Sequence, residues 1–400
     1  MIEYLLLSLL GCLLGVFTGI MPGIHVNTIC LLGIAAYPTL GLSVLEFGAI
    51  MISMAVTHTF LDFIPAIFLG VPEEETALSV LPTHKMVLEG KAYEAVKITA
   101  YGSVLGLFFA VASIPFALYF VPKIYAALRG VIVYVLIAAV AYLIWREKTW
   151  RKRAWAAAIF CLSGWLGYAA FDQNVISQMR ILFPVFTGLF GVSTIAWSLK
   201  EKSVQVPQQE YALVDVDKKF TLAGLAGALG GMIVGVLPAM SPSQVGIILS
   251  EFLGDSTRLF LVSVSAINTS DAIYSFISLY TIGNPRSGVA TMLGRIIEVD
   301  YNTLFVFIGV IAFTAPIALA LHIYIGKQAL KLTKKIDYRK LNYAALITVL
   351  VLVYVMTGTW GLAFMIVATA IGILPIQTGV SRTHSMGILL LPTISYFLGF

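Results

Sequence analysis

The stretch Gly11–Asn27 reads GCLLGVFTGIMPGIHVN, an apolar helix pattern with glycine at every fourth position that is broken by a proline. A second stretch, 227–243, reads GALGGMIVGVLPAMSPS and repeats the spacing. Four motif positions each recur 216 residues later: Gly11 with Gly227, Gly15 with Gly231, Gly19 with Gly235, and Pro22 with Pro238. Glycine at this spacing is generic for close packing between membrane helices, but packing alone does not explain the shared proline.

Further matches follow in the same order. Gly70-Val71-Pro72 pairs with Gly283-Asn284-Pro285 at an offset of 213, and Leu182-Phe183-Pro184 resembles Leu390-Leu391-Pro392. A fixed offset of this kind indicates an internal duplication. We therefore divide the chain into a first membrane repeat at 1–197, a polar linker at 198–220, and a second membrane repeat at 221–400.

Composition places the chain in a lipid bilayer. Apolar residues make up 59% of it and charged residues 11%, against about 25% charged in soluble domains. Strand-like alternation is absent, which favours helices over a membrane barrel. The sequence therefore predicts an all-α, multi-pass protein of the cell membrane, whose first apolar run is a membrane segment rather than a signal peptide. The net charge of +5 is too small to indicate nucleic-acid binding, and three scattered cysteines predict neither a disulfide nor a metal site.

Basic residues predict the orientation of the two repeats. The strongest basic loops are 146–153 and 327–340, and they do not occupy equivalent positions in the repeats. If both loops are cytoplasmic, as basic loops tend to be, equivalent helices run in opposite directions. That arrangement is the inverted repeat of many secondary transporters, with broken or re-entrant helices. The first 84 residues lack Lys and Arg, so we expect the N-terminus outside.

The helix breaks are the candidate binding site. A helix that restarts after proline presents main-chain N–H groups and the positive end of its dipole, which together bind anions. Polar side chains beside the breaks can add hydrogen bonds without burying a charge. A simple kink, with Ser and Thr satisfying the backbone, is the alternative for each break taken alone. The predicted substrate-binding residues are Gly19, Pro22, Gly23, Asn27, Thr28, Gly70, Pro72, Gly235, Pro238, Ser241, Ser243, Gln244, Gly283 and Pro285.

Ionisable residues inside apolar runs are the candidates for ion coupling, because each is costly in hydrocarbon. We assign this role to His58, Asp62 and Asp271, with a hydrogen-bonded interior histidine as the alternative for His58. Asp271 follows Asn268-Thr269-Ser270, a polar cluster in an apolar run. Glu73–Glu75 is interpreted as a solvated helix start. Lys85 and Arg286 are left open as counter-charges for an anion or as loop residues.

Enzyme signatures are missing. The sequence contains no HExxH zinc motif, no GxSxG elbow and no GxxxxGK phosphate loop. We therefore expect no enzyme, no metal site and no cofactor beyond a coupling Na⁺ or H⁺. The function predicted from the residues is that of a secondary transporter for an anion.

The motifs resemble the large membrane subunit of the tripartite tricarboxylate transporters. The residues that carry the resemblance are Gly19-Ile20-Met21-Pro22-Gly23, Leu69-Gly70-Val71-Pro72, Gly90-Lys91-Ala92, Gly235-Val236-Leu237-Pro238 and Thr281-Ile282-Gly283-Asn284-Pro285. This resemblance implies an ion-coupled carboxylate carrier. The Pro-Gly break is also similar to that of polyprenyl-phosphate translocases, so a flippase for a lipid carrier stays the alternative. The expected partners are an anionic small molecule or a lipid phosphate, and membrane lipids, with a homo-oligomer left open.

Overall fold

In the computed structural model, every regular element of the described residues is a helix. The structure describes residues 2–22, 24–71, 75–200, 207–237, 241–254, 256–335 and 338–399. The α-helices in the first repeat are α1 (Ile2–Ile20), α2 (Val26–Leu40), α3 (Val44–Leu61), α4 (Phe63–Phe68), α5 (Val80–Leu88), α6 (Ala92–Ala112), α7 (Ile114–Leu128), α8 (Ile132–Trp145), α9 (Trp150–Asp172), α10 (Gln178–Phe186) and α11 (Ser193–Lys200). Those of the second are α12 (Lys218–Val234), α13 (Pro242–Leu253), α14 (Thr257–Ile282), α15 (Gly288–Leu293), α16 (Tyr301–Lys335), α17 (Tyr338–Thr378) and α18 (Gly387–Leu398).

The helices are long and apolar enough for a multi-pass membrane protein. Within the described ranges, eight helical segments meet the length and hydropathy of a membrane span. They are Glu3–Ile20, Val44–Phe68, Ala92–Ala112, Trp150–Asp172, Arg180–Trp197, Thr257–Ile282, Tyr301–Thr333 and Asn342–Thr378. A further candidate is the pair α7 and α8, which is bent by 86°. The prediction of an all-α polytopic membrane protein is confirmed.

The glycine stripes place two helix pairs in close contact. A Cβ added to Gly15 would lie 2.6 Å from the carbonyl oxygen of Met54, so α1 lies directly on the backbone of α3. The second repeat shows the equivalent contact, because a Cβ on Gly231 would lie 3.0 Å from the carbonyl oxygen of Ile267 on α14. The duplicated glycines therefore have duplicated contacts.

These contacts also give the direction of the chain. Along α1, Gly15 meets Met54 and Gly19 meets His58, so positions on α1 and α3 increase together and the two helices are parallel. The helix between them, α2, must return the chain to the starting side. The same reasoning makes α12 and α14 parallel, with α13 as the returning helix. Each repeat thus begins with a broken helical hairpin.

The two repeats pack into each other. Helix α6 of the first repeat lies on α14 of the second, and α16 of the second lies on α3 of the first. Helices α9 and α10 likewise contact α18 and α17. Helix α17 is kinked at Gly358, whose φ of 65° is left-handed, and a π-helical turn, Thr187–Val192, follows α10. Because helices of each repeat pack against the central helix of the other, α3 and α14 lie at the centre of the protein. The inversion of one repeat relative to the other stays a prediction.

The predicted polar linker lies against the first repeat. Helix α11 continues to Lys200 and α12 begins at Lys218, so the ends of the 198–220 segment are helical. The side-chain amide of Gln208 donates to the carbonyl oxygen of Val87 at 2.7 Å. The ammonium group of Lys97 donates to the carbonyl oxygen of Ala212 at 2.8 Å. The segment is therefore tied to α5 and α6.

Candidate functional site

The first break separates α1 from α2. Pro22 is buried in the turn after α1, and Gly23 lies outside the described residues. His25 is the N-cap of α2, and its Nδ1 accepts a hydrogen bond from the main-chain N–H of Asn27 at 3.1 Å. A side-chain cap of this kind satisfies one of the N–H groups that a helix start leaves open. It also fixes the imidazole beside the positive end of α2.

The second break separates α12 from α13. Pro238 lies outside the described residues, and Pro242 occupies the first turn of α13. Ser241 and Gln244 form a capping box: the Ser241 hydroxyl accepts from the Gln244 N–H at 3.3 Å, and the Gln244 side-chain oxygen accepts from the Ser241 N–H at 2.9 Å. These reciprocal bonds define the start of α13.

The third and fourth breaks follow the two central helices. Gly70 and Gly283 both have left-handed φ values, 65° and 64°, which glycine adopts without strain. Pro72 lies outside the described residues. Ser287 caps α15, and its own N–H donates to the hydroxyl of Ser275 at 3.1 Å, which ties this break to α14.

The breaks of one repeat contact those of the other. The hydroxyl of Ser243, in the first turn of α13, donates to the main-chain carbonyl of Glu75 at 2.6 Å. Asn27 of the first repeat is the equivalent of Ser243, and Gly288 of the second is the equivalent of Glu75. These two residues are also in contact, because a Cβ added to Gly288 would lie 2.7 Å from the Asn27 amide nitrogen. We call the breaks between α1 and α2 and between α12 and α13 the hairpin breaks, and those that follow α4 and α14 the short breaks. Each hairpin break therefore lies on the short break of the opposite repeat.

The breaks enclose a cavity of about 320 Å³, which we call the central cavity. Five of the predicted site residues line it: Asn27, His58, Asp62, Ser241 and Asp271. Other polar residues on its wall are His25, Thr59, Glu75, Asn268, Arg286 and Ser287. The remaining lining is apolar or small. Both restarted helices, α2 and α13, thus contribute to one shared space.

Basic groups occupy one part of this wall. His25 Nε2 lies 3.4 Å from Glu75 Oε1, and the rings of His25 and His58 are 5.3 Å apart. Arg286 donates from Nη2 to the carbonyl oxygen of Val236 at 3.3 Å, and its Nε is buried without a hydrogen-bond partner among the described residues. A buried guanidinium N–H without a partner is costly, so the Arg286 side chain is suited to an incoming acceptor.

Acidic and amide groups occupy another part. Asp62 Oδ2 accepts from the side-chain amide of Asn268 at 2.9 Å, which joins α3 to α14. Asp271 Oδ1 accepts from the hydroxyl of Ser275 at 3.3 Å. A Cβ added to Gly235 would lie 3.2 Å from Asp271 Oδ1, so the absence of a side chain there leaves room for the carboxylate. These oxygens suit a proton or a small cation.

The other predicted residues lie outside the lining. Ser243 and Gln244 are buried behind it, and Thr28 lines a separate groove with Leu31, Val175 and Arg180. Gly19 packs against Leu61 and His58, and Gly235 packs against Asp271 and Tyr274. Gly70 and Gly283 end helical segments, and the carbonyl of Pro285 accepts from Thr291 at 3.3 Å.

Sequence reasoning missed several lining residues. Glu75 was interpreted as a solvated helix start, whereas it contacts both His25 and Ser243. His25 was part of the quoted break, and Asn268 belonged to the polar cluster before Asp271, so both had a usable signal. Ser287 had none beyond its place after the fourth break.

Comparison with known proteins gives one consistent result. The family described as "Tripartite tricarboxylate transporter TctA family" matches residues 5–387. The uncharacterized protein MJ1079 of Methanocaldococcus jannaschii is 31% identical over 404 residues, which covers 98% of this chain and 99% of that protein. No solved structure matches the chain. The matched region includes all four breaks and the whole central cavity.

Proposed function

The chain belongs to the tripartite tricarboxylate transporter TctA family, and from that premise we propose that it is the subunit that moves a carboxylate anion across the membrane through the central cavity. The observation that supports this most directly is the meeting of α2 and α13 at a polar cavity inside a largely apolar protein. Broken helices of this kind form substrate sites in other secondary transporters.

Positive charge on the wall favours an anion. Arg286 supplies a guanidinium, which binds carboxylates through paired N–H groups. His25 and His58 add imidazole donors, and the N-terminal ends of α2 and α13 add their dipoles. Because His25 and Ser241 already cap one N–H group on each helix, we expect most direct bonds to the anion to come from side chains, with Asn27 among them.

Negative charge on the same wall favours coupling to a cation. Asp62, Glu75 and Asp271 all line the central cavity, where they would repel a bound carboxylate. A proton or Na⁺ on Asp271 or Asp62 removes part of this repulsion, so the cation and the anion bind more tightly together than apart. We propose this mutual stabilisation as the basis of coupling.

Family membership also suggests partners. We propose that the chain works with the other subunits of a tripartite transporter, in contact with membrane lipids. No observation favours the lipid-phosphate flippase, and it stays as the alternative outcome of the binding experiment below.

The test is a thermal-shift screen of the purified protein against dicarboxylates, tricarboxylates and polyprenyl phosphate. We expect citrate or a related carboxylate to raise the unfolding temperature, because a ligand that binds only the folded state stabilises it. Arg286→Gln should lose this shift, whereas Arg151→Gln, at an exposed position on α9, should keep it. A shift with polyprenyl phosphate alone would replace the carboxylate assignment with the flippase.

A further inference from the structure

A second polar cavity lies apart from the central one. It has a volume of about 280 Å³ and is formed by the 380–383 segment, α5, the end of α13 and the start of α14. Its charged lining residues are Arg146 and Arg382, and its hydroxyls come from Ser250, Ser256, Thr257, Ser381 and Thr383. We call it the Arg382 cavity.

Arg382 is a buried positive charge. Its side chain is 7% exposed, and its two terminal nitrogens donate to Thr194, Ser193 and the carbonyl oxygen of Leu189. All of these acceptors are neutral, and no carboxylate pairs with Arg382 in the part of the chain that the structure describes. Its Nε is buried, with no hydrogen-bond partner among those described residues. Burial lowers the pKa of Arg382 to about 10, which still leaves the guanidinium charged at neutral pH.

The acidic group nearby is already engaged. Glu147 Oε1 accepts from the main-chain N–H of Ser381 at 2.8 Å and lies 3.1 Å from His384 Nε2. Glu147 therefore holds the 381–384 segment in place rather than neutralising Arg382. An unpaired buried charge costs several kcal/mol, and an anion in the Arg382 cavity would remove that penalty.

The Arg382 cavity and the central cavity lie along the same helices. On α13, Pro242 lines the central cavity and Ser250 lines the Arg382 cavity, about 12 Å apart at 1.5 Å per residue. On α14 the same separation, about 12 Å, divides Asn268 from Phe260. The Arg382 cavity is therefore displaced from the central cavity by about 12 Å along these helices, towards the face that carries the 146–153 loop.

The first repeat builds a counterpart. A groove of about 490 Å³ is lined by Thr28 and Leu31 on α2, by residues of the 175–180 segment including Arg180, and by the end of the first part of α17. Helix α2 is the equivalent of α13, and the 175–180 segment precedes Pro184 much as 380–383 precedes Pro392. The two spaces thus share a wall from α2 or α13 and an arginine in the segment before the next helix proline, and they differ in that α5 and α14 line the Arg382 cavity whereas α17 lines the groove.

From this geometry we propose that the Arg382 cavity is a second carboxylate-binding site, on the path between the central cavity and the face of the 146–153 loop. The proposal rests on the function proposed above for the chain as a carboxylate carrier. Arg382 supplies the unpaired charge, Arg146 supplies a second guanidinium at the mouth, and the hydroxyls of Ser250 and Thr383 supply hydrogen bonds.

Protection of a single cysteine tests the site. In protein whose three native cysteines are replaced, Thr257→Cys places a thiol on the wall of the Arg382 cavity, and Leu213→Cys places one on the exposed linker as the control. The rate of maleimide modification is measured with and without citrate. At citrate ten times its Kd, about a tenth of the sites stay free, so modification at position 257 should slow roughly tenfold while position 213 is unaffected.

Two further variants separate this site from the central one. Adding Arg146→Gln or Arg382→Gln to Thr257→Cys should remove most of the protection. Because Arg146 is exposed, we expect Arg146→Gln to leave folding intact. Adding Arg286→Gln should leave protection at position 257 in place. Two results would overturn the second site. In the first, citrate stabilises the protein but does not protect position 257. In the second, it protects position 257 equally well in the Arg146→Gln and Arg382→Gln variants. Either result leaves the proposed function of the central cavity intact. Protection at 257 together with an Arg286→Gln thermal shift equal to wild type contradicts the central site instead.

Discussion

The hydroxyl of Ser243 donates a hydrogen bond to the main-chain carbonyl oxygen of Glu75 at 2.6 Å, and so joins the hairpin break of the second repeat to the short break of the first. The equivalent residues, Asn27 and Gly288, are in contact as well. Three of these four residues, Glu75, Asn27 and Gly288, line the central cavity. The site therefore depends on both repeats at once.

The contact at Gly288 predicts a binding defect. A Cβ on Gly288 would lie 2.7 Å from the Asn27 amide nitrogen, and closer still to the other amide atoms, so Gly288→Ala must displace Asn27. We expect citrate affinity to fall about tenfold, the effect of losing roughly 1.4 kcal/mol. Gly309→Ala is the matched control, because no atom of the described ranges lies within 4 Å of a Cβ there. Equal affinity in the two variants, measured by calorimetry, would show that the Asn27 position is unimportant.

The Ser243 bond predicts a loss of stability. Ser243→Ala leaves the main-chain carbonyl of Glu75 without this donor, and we expect the free energy of unfolding to fall by about 1 kcal/mol. The control is Ser8→Ala, since the Ser8 hydroxyl donates within α1, to the carbonyl oxygen of Tyr4. Thermal unfolding in detergent measures both. A Ser243→Ala protein as stable as the Ser8→Ala protein would contradict the structural role.

Asp271 predicts the dependence of binding on the coupling ion. We expect citrate binding to wild-type protein to strengthen with either Na⁺ or added acid, because a cation at Asp271 offsets repulsion in the central cavity. Asp271→Asn should bind citrate with little response to either ion, whereas Asp172→Asn, at the exposed end of α9, should respond like wild type. Titrations at several Na⁺ concentrations and pH values decide this. An unchanged response in Asp271→Asn would move the coupling site elsewhere.

Topology is tested by cysteine labelling. The basic loops at 146–153 and 327–340 are predicted to be cytoplasmic. Trp150 is 81% exposed at the start of α9, and Lys340 is exposed between two candidate spans, so a cysteine at either position is accessible. We expect an impermeant maleimide to label Trp150→Cys and Lys340→Cys only after the membrane is opened. Labelling of just one of the two in intact cells would exclude the inverted arrangement of the repeats.

The sequence predicted much of the fold because a duplication and a glycine stripe are local patterns. The offset between Gly15 and Gly231 reappears as matching contacts with Met54 and Ile267. Pairing across the site could not be predicted in the same way. A repeat offset identifies Asn27 as the equivalent of Ser243, but it does not say which residues those two contact.

Long-range contacts account for the missed residues as well. Glu75 follows a proline and two other acids, a pattern typical of a solvated helix start. Its contacts, to His25 and Ser243, come from residues 50 and 168 positions away. No local pattern carries that information. Charge and burial in the folded site identify Glu75, Arg286 and Asn268 as members of the wall.

We propose that a carboxylate binds where α2 and α13 meet, with Asn27 as a direct ligand. The decisive experiment is a calorimetric titration of citrate into purified wild-type and Asn27→Ala protein. A hydrogen bond to a charged ligand is worth about 1.5–3 kcal/mol, so we expect Asn27→Ala to bind citrate at least tenfold more weakly, with unchanged thermal stability of the ligand-free protein. Equal affinity in Asn27→Ala and wild type would rule out Asn27 as a ligand.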